Sequence, residues 1–120
     1  MYGTIDGYEV DCVTDDALYN KMAELYPDYT DSITGRFMTR PATTWIKVTN
    51  PLPNLTEPER KAYKAWVEKC YNGGKPIDWT GYEIHHIKPR EFSGTHDYSN
   101  LMPLKSDFHK KVSSWFRNYL

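Results

Sequence analysis

The chain has 120 residues, of which 39% are hydrophobic and 15% aromatic, and its formal net charge is −1. This length suits one domain, and the apolar fraction can build a core, so we expect a single folded domain over residues 1–120 and not a disordered chain. A near-neutral total charge argues against a protein that coats nucleic acid through bulk electrostatics.

The first half of the chain predicts one helix and one short strand. Asp15 or Asp16 can cap a helix that Pro27 ends. The apolar positions of this helix recur at helical spacing and are Leu18, Met22 and Leu25. β-Branched and aromatic residues predict a strand near residues 44–49.

A second helix is predicted from the cap Thr56 to about Tyr71, with Pro58 in its first turn. Two glycines, Gly73 and Gly74, supply a left-handed stop. The expected apolar stripe consists of Ala62, Trp66 and Cys70, with Tyr63 and Val67 beside it. We expect this helix to pack beneath the C-terminal third of the chain.

The C-terminal third predicts the order strand, loop, strand, helix. Tyr82, Ile84 and His86 alternate with Glu83 and His85, which is typical of a strand. The expected remainder is a loop over residues 88–97, a return strand over residues 98–104, and a helix capped by Ser106 or Asp107. The apolar side of that helix is predicted to hold Phe108, Val112, Trp115 and Phe116.

Histidine and positive charge are concentrated in the same third. Residues 81–120 hold six Lys or Arg against four Asp or Glu, whereas residues 1–80 hold nine against twelve. All four histidines, His85, His86, His96 and His109, also lie there. A local site for an anionic substrate is therefore a better interpretation than a uniformly basic surface.

The rest of the composition indicates a chain in a reducing compartment. Cys12 and Cys70 form no CxxC pair, which suits two reduced thiols, with one disulfide between them left open. No apolar run reaches the length of a membrane span, and the polar start lacks the features of a signal peptide. We expect no membrane contact.

The segment YEIHHIKPREFSGTHDYSNLMPLKSDFHKKVSSWF resembles the HNH, or ββα-metal, endonucleases, which include the nuclease domains of colicins and many bacterial polymorphic toxins. The paired histidines, Asn100 and His109 match motif positions in order, and the KPR after the pair is similar to toxin-type members. The resemblance implies an α+β fold with a ββα-metal (His-Me finger) core over residues 79–120. Residues 1–78 then form a support region with additional helices and a short strand.

The resemblance also assigns roles within the motif. His85 and His109 are expected to hold one divalent metal ion, and His86 to act as the general base that activates water. Neighbouring strand residues face opposite sides, so the two adjacent histidines cannot do the same task. Asn100 is expected to brace the loop and so to orient the base.

Further residues complete the expected site. The side chains expected to contact phosphates are Lys88, Arg90, Lys110 and Lys111. Colicin-type members carry another histidine where this chain has Ser113, so Mg²⁺, Mn²⁺, Ni²⁺ and Zn²⁺ all stay open. His96 is interpreted as a solvated loop residue, with ligation or phosphate contact as alternatives.

The function implied is a metal-dependent hydrolase that cuts phosphodiester bonds in DNA, with RNA left open. Its context is expected to be the toxin domain of an antibacterial effector that acts in the bacterial cytoplasm and has a cognate immunity protein. The alternatives are a phage or mobile-element HNH enzyme and a catalytically silent module that binds nucleic acid or metal.

Overall fold

The computed structural model describes residues 17–120. Its residues cluster into two compact units, one of Asp28–Lys110 and one that combines residues 17–27 with Lys111–Leu120. Within the described residues there are two α-helices and a two-stranded antiparallel sheet, which confirms the α+β class. Neither helix has the length and apolar character that crossing a membrane requires.

Helix α1 spans Glu57–Tyr71 and begins as predicted. The hydroxyl of Thr56 accepts a hydrogen bond from the backbone N–H of Glu59, and the Glu59 carboxylate accepts one from the backbone N–H of Thr56. This reciprocal capping box satisfies N–H groups that a helix start otherwise leaves unpaired. After the helix, Gly73 and Gly74 adopt φ values of +61° and +82°, the left-handed conformation predicted for the stop.

The buried face of α1 differs from the predicted stripe. Tyr63 and Val67 are buried, whereas Ala62 and Cys70 are exposed. The buried pair packs with Leu55 and Leu101, and Trp66 lies at the edge of this cluster. Helical spacing predicts several adjacent faces equally well, and the position of the hairpin decides which one is buried.

Strands β1, Tyr82–His86, and β2, Leu101–Lys105, form the antiparallel hairpin. His86 lies opposite Leu101, and His85 lies opposite Met102. The prediction that the return strand starts at Tyr98 is wrong, because Tyr98–Asn100 forms a short 3₁₀ helix. The backbone N–H of Asn100 donates to the carbonyl of Asp97, so this turn delays the strand to Leu101.

Helix α2 spans Ser106–Arg117 and follows β2 directly. Ser106 and Asp107, the two predicted caps, both lie in the first turn of α2. Neither precedes the helix, as a cap residue does. The Ser106 backbone N–H and hydroxyl both donate to the carbonyl of Gly81, which fixes the helix start beside β1. The order β1, loop, β2, α2 is the predicted ββα arrangement.

The helix predicted before Pro27 is absent from residues 17–27. Tyr19 and Leu25 form an isolated antiparallel bridge, while Leu18 lies outside any helix and Met22 is exposed. The Asn20 side-chain oxygen accepts hydrogen bonds from the backbone N–H groups of Met22 and Glu24. Asparagine thereby satisfies the N–H groups locally and competes with helix formation. The predicted caps Asp15 and Asp16 lie outside the described residues.

The strand predicted near residues 44–49 is also wrong. This segment is irregular, and Ile46 is 79% exposed. The backbone N–H of Val48 donates to the carbonyl of Glu91 and so links the segment to the loop that follows β1. β-Branched residues favour a strand only where a neighbouring strand supplies a continuous ladder, and none lies beside this segment within residues 17–120.

Candidate active site

The two adjacent histidines of β1 lie in different surroundings. The side chain of His85 is buried, with 4% of the residue exposed, and that of His86 is half-buried. Consecutive strand residues point to opposite faces, so the hairpin gives each imidazole its own neighbours. His85 contacts His109, and His86 contacts His96.

His85 presents an imidazole that is kept neutral. Burial, followed by the proximity of His109, lowers its pKa to about 3. Its Nε2 atom is buried and has no hydrogen-bond partner among residues 17–120. A buried, unpaired nitrogen is costly unless something binds it, and a neutral imidazole is the form that ligates a metal.

His109 lies in the first turn of α2, as predicted. Its ring centroid is 5.4 Å from that of His85. Its Nδ1 lies 2.9 Å from a carboxylate oxygen of Glu83. A carboxylate only accepts, so Nδ1 donates and Nε2 is left as the nitrogen with a free lone pair. Carboxylates commonly hold metal-binding histidines in this way.

Glu83 is a site residue that the sequence reasoning missed. It precedes His85 by two residues in β1, so both side chains leave the strand on the same face. That spacing was a usable signal, because a carboxylate two residues before His85 lies on the same face of the strand. The contact that Glu83 makes there depends on where α2 places His109.

The residues on this face fit a metal ion with two protein ligands. They offer the unpaired Nε2 of His85 and the free nitrogen of His109. Across residues 17–120, no three His, Cys, Asp or Glu side chains are gathered closely enough to form a larger set. Such a site leaves several coordination positions for water and phosphate oxygens.

His86 and His96 form a hydrogen-bonded pair. Nε2 of His86 lies 3.0 Å from Nδ1 of His96, and Nε2 of His96 lies 2.9 Å from the carbonyl oxygen of Pro53. Burial, followed by the proximity of His96, lowers the pKa of His86 to about 4. The interpretation of His96 as a solvated loop residue is therefore wrong: the loop carries it back against β1.

Asn100 joins the two ends of the loop between the strands. Its side-chain oxygen accepts from the backbone N–H of Lys88 at 2.8 Å. Its amide nitrogen donates to the carbonyls of Lys88 and Thr95 at 3.1 and 2.9 Å. One side chain thus fixes the backbone two residues after His86 and one residue before His96.

Gly94 allows the same loop to close. A Cβ atom at this position would lie 1.7 Å from the carbonyl oxygen of Lys88. Its backbone N–H donates to the carbonyl of Pro89. Only glycine can approach another stretch of backbone this closely.

The basic residues named from the sequence lie in two places. Lys88 and Arg90 are half-buried in the loop after His86. The Lys88 ammonium lies 5.6 Å from the ring centroid of Trp45, and Arg90 donates to the carbonyl of Leu52. The other two, Lys110 and Lys111, are exposed on α2 next to His109.

The family model for HNH endonucleases matches residues 69–114. This segment is an HNH endonuclease domain. The match contains β1, the loop, β2 and most of α2, and it confirms the resemblance to the superfamily. Comparisons with curated proteins and with solved structures returned no match. The matched segment indicates nuclease activity in general terms and implies nucleic acid as the class of substrate.

Proposed function

We propose that the HNH domain hydrolyses phosphodiester bonds in DNA and requires one divalent metal ion. The observation that carries this proposal is the division of the adjacent histidines, with His85 beside His109 on one face and His86 on the other. One face offers metal ligands, and the other offers a base.

His86 would take a proton from the attacking water. The lowered pKa keeps its imidazole neutral at pH 7, so a lone pair is available. His85 and His109 would hold the ion, which when bound supplies Lewis acidity to the scissile phosphate and to the departing oxygen. Asn100 holds the loop that follows His86 and thereby limits movement of the base.

The basic residues would contribute local contacts with the phosphate backbone. Lys88 and Arg90 follow the base in sequence, and Lys110 and Lys111 follow the ligand His109. Each phosphate contact releases counterions, so binding should weaken as salt rises. Because the total charge is −1, few contacts are expected, and the salt dependence should be shallow.

A plasmid-nicking assay tests the proposal. We expect EDTA to abolish cleavage and Mg²⁺, Mn²⁺, Ni²⁺ or Zn²⁺ to restore it to different extents. Parallel reactions with double-stranded DNA, single-stranded DNA and RNA identify the substrate. Lys69→Ala, on the exposed side of α1, is the matched control for handling and purity. Full cleavage in chelator would rule out the metal mechanism, and no cleavage of any nucleic acid would favour a silent binding module.

The cellular role that we propose is an antibacterial toxin acting in the bacterial cytoplasm. Support comes from the paired histidines followed by KPR, which resemble toxin-type members. Expression in a bacterial cytoplasm should arrest growth and degrade DNA, and His86→Ala should relieve both effects. A cognate immunity protein should bind the domain and restore growth. Growth unaffected by active enzyme would favour a phage or mobile-element nuclease.

A further inference from the structure

His96 bridges two parts of the domain through its two ring nitrogens. Nε2 contacts the carbonyl oxygen of Pro53, and Nδ1 contacts Nε2 of His86. The ring is partly buried, and its position is set by Asn100, which donates to the carbonyl of the preceding residue, Thr95. His96 is therefore held in place from both sides.

The partners of His96 determine its tautomer. A carbonyl oxygen accepts hydrogen bonds and cannot donate them, so Nε2 of His96 must carry the hydrogen. A neutral imidazole carries only one N–H, so Nδ1 of His96 has a lone pair and accepts. The bond between the two rings is thus donated by Nε2 of His86.

This hydrogen bond also determines the tautomer of His86. Because its hydrogen is on Nε2, a neutral His86 has its lone pair on Nδ1. Without this partner an imidazole would distribute its hydrogen between both nitrogens and could rotate about its side-chain bonds. The hydrogen bonds that link Pro53, His96 and His86 therefore fix the tautomer of His86 and restrict rotation of its ring.

We propose that His96 is a positioning residue for the nuclease reaction, which holds His86 in the tautomer that presents Nδ1 to the attacking water. This inference rests on the proposed function of His86 as the general base. His96 itself touches neither the water nor the phosphate. It acts through the orientation of the neighbouring ring, as groups that hold a catalytic histidine generally do.

Three substitutions separate the two hydrogen bonds of His96. His96→Asn places an amide oxygen near the position of Nδ1 and can still accept from His86. His96→Gln places its amide further out, where it can donate to the Pro53 carbonyl but not accept from His86. His96→Leu removes both bonds. All three retain a side chain in a partly exposed loop position.

Nitrogen NMR of the full chain labelled with ¹⁵N-histidine reports the tautomer of His86 directly. This measurement does not depend on nuclease activity. We expect wild type and His96→Asn to show His86 protonated at Nε2, and His96→Leu and His96→Gln to show a mixture. For cleavage of a short duplex, we expect kcat to fall about 10- to 100-fold in His96→Leu and His96→Gln, with KM unchanged. His96→Asn should retain most of the wild-type kcat. Metal affinity should be unchanged throughout.

Any of three results would overturn the inference. The first is a wild-type His86 protonated at Nδ1, and the second is a His96→Leu variant that cuts at the wild-type rate. Equal losses in His96→Asn and His96→Leu would also contradict it, because a purely structural role predicts no rescue by an acceptor. Failure of the proposed function looks different: His86→Ala would then cut normally while the NMR result stands.

Discussion

The carboxylate of Glu83 lies 2.9 Å from Nδ1 of His109, across the junction between β1 and α2. Glu83 also shares its strand face with His85, whose Nε2 is buried and unpaired within residues 17–120. A strand carboxylate thus orients a helix histidine toward a strand histidine. Because the carboxylate accepts from Nδ1, Nε2 is the nitrogen of His109 that keeps a lone pair, and it is the one that the proposed metal site would use.

Glu83→Ala should weaken metal binding about 10- to 100-fold, because His109 loses the acceptor that fixes its tautomer. Glu83→Gln keeps an oxygen acceptor and should retain most of the affinity. Isothermal titration with Zn²⁺ or Ni²⁺ measures both. Glu91→Ala, on the exposed loop, is the control. A Glu83→Ala variant with wild-type metal affinity would show that the carboxylate has no part in orienting the His109 imidazole.

The adjacent histidines should separate cleanly when each is replaced. His86→Ala should keep metal affinity and lose about 10²- to 10⁴-fold in cleavage rate, the usual cost of removing a general base. His85→Ala and His109→Ala should lose metal binding and cleavage together. Metal affinity and nicking rate measured on the three variants decide the matter. If His86→Ala loses the metal and His85→Ala retains it, the two roles are reversed.

Asn100→Ala should lower both stability and cleavage without altering the metal ligands. It removes three hydrogen bonds to the backbone of Lys88 and Thr95 and leaves those groups partly buried, at a cost of about 1–3 kcal/mol. Asn100→Asp retains the acceptor but not the two donated bonds, so it should not restore the loop. Urea denaturation gives the stability change, and calorimetry gives the metal affinity. Normal cleavage by Asn100→Ala would mean that the loop holds His86 without this amide.

Gly94→Ala should distort the loop, since the added methyl group would overlap the carbonyl of Lys88. We expect a destabilisation of about 1–3 kcal/mol, typical of overpacking, and a loss of cleavage. Gly73→Ala is the control, because Gly73 has positive φ but open space around its Cβ position, so its substitution strains the backbone without a steric overlap. It should cost roughly 1 kcal/mol and leave cleavage intact. Equal cleavage by both variants would contradict a tight loop.

The metal-free protein should lose stability as the pH falls below about 6.5. The pKa of His85 is lowered by burial from 6.5 to about 3, so in this range the unfolded chain binds a proton that the folded chain does not. The free energy of unfolding should then decrease by up to about 1.4 kcal/mol per pH unit from this group, until the pH approaches 3. Denaturation curves at pH 7, 6 and 5 should show a steeper decrease for wild type than for His85→Asn. Parallel curves would mean that folding does not lower the pKa of His85.

The sequence alone predicted the elements that depend on local interactions. The capping box at Thr56, the glycine stop of α1 and the alternation in β1 all arise from residues a few positions apart. The HNH motif was recognisable for a related reason, since its residues occur in a fixed order along one short segment. The helix predicted before Pro27 failed because Asn20 offered the backbone a competing set of hydrogen bonds.

The sequence by itself therefore determined the resemblance to the HNH superfamily, the strand–loop–strand–helix order and the adjacent histidines on opposite faces. Only the tertiary structure decided the partners of those histidines. Glu83 meets His109 because Ser106 fixes the start of α2 to Gly81, and His96 meets His86 because Asn100 folds the loop back. Periodicity assigns a side chain to a face. The atom that it meets there depends on backbone contacts between distant segments, which no local pattern encodes.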